Sequence, residues 1–115
     1  PGGTEVILGM SRDPQFGPVL MFGLGGIFVE IFKDVSFKLL PVCEEDAYEM
    51  INEIKGRDIL YGVRGQEPKD VSGLAKALVN LSRLVAENPE VNEIDLNPTV
   101  VFNDKVAILD ARVLI

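Results

Sequence analysis

The sequence predicts one α+β domain, with two helices on one face of a mixed, mostly antiparallel sheet. Three observations carry that expectation: period-two alternation of apolar residues in the first third, a helical period after Pro41, and renewed alternation after Pro89. Length and composition agree. At 115 residues, 47% hydrophobic and 25% charged, the chain falls in the ordinary range of a single globular domain.

Residues 4–12 read as a strand because Val6, Leu8 and Met10 alternate with Glu5, Ile7 and Gly9, and the turn-forming run Asp13-Pro14-Gln15-Phe16-Gly17-Pro18 closes it. A second strand follows at 18–23. The glycines at 23, 25 and 26 suit a tight turn into a third strand, Ile27–Phe32, and Val35–Leu40 reads as a fourth with Phe37 and Leu39 on one face. After Pro41, the residues Ala47, Met50, Ile51 and Ile54 form one stripe of a helix over 44–55, with Gly56 at its C-terminal cap. Arg57–Lys69 reads as a long loop. Asp70 suits an N-cap, and Val71, Leu74, Ala75, Leu78, Leu81 and Val85 mark a helix to about residue 87, stopped by Asn88-Pro89. Two last strands, Val91–Asn97 and Lys105–Leu114, flank Asn103-Asp104, a dipeptide favoured in two-residue hairpin turns. The expected order is β-β-β-β-α-α-β-β.

Charge and composition exclude several classes of function. Eleven Lys and Arg against eighteen Asp and Glu give −7, a balance that repels nucleic acid and anionic lipid. No basic patch offsets it. The longest apolar run, Val19–Ile31, is broken by Gly23, Gly25, Gly26 and Glu30, and falls short of the roughly 20 residues of a membrane span. A chain without His holds no His-based triad, histidine metal cage or phosphohistidine. The one cysteine, Cys43, forms no intrachain disulfide and no thiolate zinc site. With no signal peptide in view, a cytoplasmic location is the default expectation. The chain opens Pro-Gly-Gly without an initiator methionine, which suggests a processed product or a piece of something longer.

The most informative stretch is Glu93-Ile94-Asp95-Leu96-Asn97-Pro98. Alternation sets Glu93, Asp95 and Asn97 on one face of a strand. If Asn103-Asp104 is a two-residue turn, the numbers of paired residues sum to 207, so Asn97 faces Asp110 and Asp95 faces Arg112. Facing Cβ atoms lie about 4.5–5.5 Å apart, close enough for an amide oxygen and a carboxylate to share one cation. Mg²⁺ suits such a pair, because it takes oxygen ligands and keeps several positions for water and phosphate. Arg112 would pair with Asp95 or turn toward a phosphate. Pro98 warns of a bulge that would shift the register. The competing reading is a solvated hairpin face in an acidic protein.

Weaker candidates lie elsewhere. Gly23-Leu24-Gly25-Gly26 lacks any Cβ at three positions and could admit a phosphate, or could be a plain turn. Glu30 and Lys33-Asp34 read as exposed strand-end charge, and Gly62-Val63-Arg64-Gly65 as a loop whose arginine could reach an anion.

Taken together, Glu5-Val6-Ile7-Leu8-Gly9-Met10, Arg12-Asp13-Pro14, Phe16-Gly17-Pro18-Val19, Met21-Phe22-Gly23-Leu24-Gly25-Gly26-Ile27 with Glu30, Arg64-Gly65, Glu93-Ile94-Asp95-Leu96-Asn97-Pro98 and Leu109-Asp110-Ala111-Arg112 resemble the ATP-grasp part of NDP-forming acyl-CoA synthetases. The succinyl-CoA synthetase β subunit is a more distant relative. The resemblance covers nearly the whole chain, and implies that residues 1–115 are the C-terminal subdomain of an ATP-grasp domain whose upstream nucleotide-binding subdomain is not present. It implies enzymes that interconvert acyl-CoA, ADP and phosphate with free acid, CoA and ATP. It assigns Asn97 and Asp110 to Mg²⁺, and Gly25, Gly26, Glu30 and Arg112 to the ATP/ADP pocket. Partners would be the nucleotide and a CoA-binding domain or alpha subunit. The isolated chain is expected to be inactive, and to self-associate as a homo-oligomer through its bared sheet face. Two other readings remain: a regulatory synthetase-like module of a protein acetyltransferase, and a non-catalytic acidic α+β interaction domain.

Overall fold

A computed structural model describes residues 2–26, 30–63 and 65–115. Among these, the strands are β1 (Thr4–Asp13), β2 (Gly17–Leu24), β3 (Val35–Leu39), β4 (Glu93–Val101), β5 (Val106–Ile108) and β6 (Arg112–Leu114). The helices are α1 (Glu44–Glu53), α2 (Asp58–Tyr61) and α3 (Val71–Glu87). The sheet runs β3-β2-β1-β4-β5, and β6 also pairs with β4. Every pairing is antiparallel. No helix of the described residues is long and apolar enough to cross a membrane.

The alternation does what period two requires. Val6, Leu8 and Met10 of β1 and Leu20, Phe22 and Leu24 of β2 are buried on one face, against Ala47, Met50 and Ile51 of α1 and Leu74, Leu78 and Leu81 of α3. Two hydroxyls tie the layers: Ser36 Oγ donates to the Met50 carbonyl at 2.8 Å, and Ser82 Oγ accepts the Val42 N–H at 2.9 Å. Asp70 caps α3 as its position suggests, accepting the Gly73 N–H at 2.9 Å.

Four expectations are corrected. The third strand fails at Glu30–Phe32, which belong to no strand, and the Glu30 N–H donates to the Gly26 carbonyl; Ile27, Phe28 and Val29 lie outside the described residues. Asp34 is not an exposed strand-end charge but 8% exposed. Its carboxylate accepts the N–H groups of Lys55 and Gly56, so Gly56 begins the next turn instead of capping α1. The long loop contains α2, because Leu60 is an apolar anchor with 0% exposure. Three helices, not two, therefore accompany the sheet among the described residues.

Candidate functional site

The hairpin turn forms as the dipeptide implies, with the Phe102 N–H donating to the Lys105 carbonyl at 2.8 Å. From it, Val101 pairs with Val106, Val100 with Ala107 and Thr99 with Ile108. Pairing resumes at Asp95 with Arg112, Ile94 with Val113 and Glu93 with Leu114. Both stretches keep the 207 register. The interruption therefore holds Leu96, Asn97 and Pro98 on one strand and Leu109, Asp110 and Ala111 on the other, and leaves Asn97 and Asp110 at matching positions. Both residues are exposed.

A bulge does occur at Pro98, on the opposite edge of β4. The β1 pairing passes from Val6 with Thr99 to Leu8 with Leu96, so Ile7 alone opposes Asn97 and Pro98. The extra residue is absorbed between β1 and β4, which spares the hairpin register.

The ladders also say which face carries Asp95 and Arg112. Gly9 pairs with Met21 and with Asp95, Met21 with Phe37, and Asp95 with Arg112. Directly paired residues share a face, so this row crosses the sheet on the side away from the helices. Phe37 is 59% exposed there. Asp95 and Arg112 oppose each other but form no ion pair within 4.0 Å, which leaves the guanidinium without a carboxylate partner among the described residues. Glu93, Asp95, Arg112, Val113 and Leu114 line an open depression of about 310 Å³.

Gly25 and Gly26 line a second depression, of about 300 Å³, with Gly3, Thr4, Glu5, Leu24 and Ile59. The Gly25 N–H donates to the Glu5 carbonyl at 2.8 Å, and a Cβ on Gly25 would meet the Glu5 Cβ at 3.1 Å. Glycine there permits close approach of two backbones. Glu30 is exposed beyond this turn, and Arg64 lies outside the described residues. Thr99, beside the bulge, escaped the sequence reading, as did the burial of Asp34, which serves the fold and not this site. Asp34 carries no local signal, because its partners are 21 and 22 residues away.

An antiparallel sheet with helices packed on one side, and with Gly9, Met21, Phe37, Asp95 and Arg112 in a row on the other, defines an α+β module. All 115 residues match the model of the ATP-grasp domain, and the chain belongs to that family. It is 54% identical over its whole length to the beta subunit of acetate–CoA ligase [ADP-forming] I of Pyrococcus furiosus, of which it covers 50%. It is 46% identical over 114 residues to the 4-hydroxybutyrate–CoA ligase [ADP-forming] of Nitrosopumilus maritimus, covering 97% of this chain and 16% of that one. Among solved structures, the dinucleotide-forming acetyl-coenzyme A synthetase 1 of Ca. Korarchaeum cryptofilum, in complex with coenzyme A and Mg-AMPPCP, superposes with a TM-score of 0.94 at 48% identity, over 100% of this chain and 54% of that one. The chain thus spans about half the length of the beta-subunit relative. These relatives are ligases, and neither the acetyltransferase-module reading nor the acidic-interaction reading gains support from them.

Proposed function

We propose that this chain is the C-terminal half of a Mg-nucleotide site in an ADP-forming acyl-CoA synthetase, which interconverts acyl-CoA, ADP and phosphate with free acid, CoA and ATP. The observation that carries the reading is the interruption of three residues on each strand, which leaves Asn97 and Asp110 unpaired at matching positions on the hairpin. The donor set fits the ion: an amide oxygen and a carboxylate, both on exposed residues, leave positions for water and phosphate oxygens. Bound Mg²⁺ would supply neutralisation of charge on the nucleotide phosphates.

The chain's own residues have separate tasks in this reading. Asn97 and Asp110 hold the ion. Arg112, with no carboxylate partner among the described residues, presents its guanidinium to a phosphate oxygen, while Gly25 and Gly26 in the second depression, with Glu30 beyond them, serve the nucleotide. The complementary ATP-grasp half, and a CoA-binding domain or alpha subunit, would supply the remaining contacts, so the 115-residue chain alone neither turns over ATP nor binds it tightly.

The test is calorimetric titration of Mg-ADP into the complete enzyme that carries this domain. Asp110→Ala is expected to weaken binding at least about tenfold, the equivalent of 1.4 kcal/mol. Equal binding by wild type and variant would overturn the proposal.

A further inference from the structure

We propose that Thr99 is a positioning residue for Asn97, acting through the bulge of β4; this rests on the reading of Asn97 and Asp110 as ion ligands. A bulge leaves ladder groups unpaired and redirects a side chain, so a ligand beside one needs something to fix its aim. Thr99 supplies it. Its hydroxyl donates to the Leu96 carbonyl at 3.0 Å, reaching back across Asn97 and Pro98. On the hairpin side, the Leu109 N–H donates to the Pro98 carbonyl at 3.0 Å. Asn97 is therefore bracketed on its own strand by the Leu96–Thr99 bond, while Pro98, its neighbour, is tied to the residue before Asp110.

The chemistry of the position argues for this role. Thr99 has 0% exposure and pairs with Val6, a residue of the apolar core. Packing alone would be served by valine, and a hydroxyl in such a place is unfavourable unless it is bonded. Its hydrogen bond closes the bulge beside the ligand.

The test titrates the 115-residue chain with Mn²⁺ alone and follows paramagnetic broadening of the Asn97 side-chain amide by NMR. Wild type is expected to show saturable broadening, and Asp110→Ala to lose it. Thr99→Val should raise the Mn²⁺ concentration for half-broadening about three- to tenfold, the scale of one hydrogen bond, and Thr99→Ser should restore it. Thr99→Ala replaces Thr99→Val if the latter loses its dispersed backbone spectrum. If Asp110→Ala abolishes broadening while Thr99→Val titrates like wild type, the positioning role is refuted and the ion site stands. If Asp110→Ala also titrates like wild type, the ion site itself is refuted, and the role of Thr99 with it.

Discussion

The carboxylate of Asp34 accepts the backbone N–H of Gly56 at 2.8 Å across 22 residues of sequence, and that of Lys55 at 2.6 Å. One side chain at the start of β3 thus joins the sheet to the corner between α1 and α2. Asp34→Ala leaves two partly buried N–H groups without that acceptor, and charge-assisted bonds of this kind are worth about 1.5–3 kcal/mol each. The expected loss of stability is about 3 kcal/mol, measured by urea unfolding; a loss below about 1 kcal/mol would show that the corner holds without it.

Close packing at the same corner gives a second outcome. A Cβ on Gly23 would sit 2.7 Å from the Val35 Cγ1 and 2.8 Å from the Asp34 carbonyl oxygen. The oxygen is backbone and cannot swing aside. Gly23→Ala should cost about 1–3 kcal/mol, read as a lower denaturation midpoint with an unchanged m-value.

Arg112 separates stability from function. It is exposed, and its ladder partner Asp95 forms no ion pair with it. Arg112→Ala should therefore leave stability within about 0.5 kcal/mol, yet weaken Mg-ADP binding by the complete enzyme. Unchanged binding would remove Arg112 from the phosphate contacts.

Two half-buried groups, Lys38 on β3 and Asp46 in the first turn of α1, give a pH dependence. Asp46 is held below its ordinary value of 3.8, first by the backbone N–H of Cys43, then by the Cys43 thiol and Lys38. A lowered carboxylate contributes stability above its unfolded pKa and loses it as the pH falls through the folded one. Lys38 is raised above 10.5, chiefly by its hydrogen bond to Glu49, so its contribution is present below that value and disappears as the pH rises through the folded pKa. Asp46→Asn should flatten chiefly the acid limb of the stability profile, and Lys38→Met chiefly the alkaline limb with a smaller loss on the acid limb, because Lys38 also lowers Asp46. Identical profiles for all three proteins would refute both assignments.

The sequence by itself determined the strands β1 and β2, the buried stripes of α1 and α3, and the hairpin register that sets Asp95 opposite Arg112. These are legible because strand and helix periods, caps and two-residue turns are local, and each is written within a few consecutive residues. Asp34, Leu60 and the Thr99 brace were decided by tertiary structure alone. A buried carboxylate is tolerated only where distant N–H groups converge on it, and a four-residue helix persists only where a core receives its apolar anchors, here Leu60 and the partly buried Ile59. The bulge belongs to the same class: Pro98 announces an irregularity, but only the packing of β1 against β4 settles which edge absorbs it, because the hairpin register is already fixed by its turn.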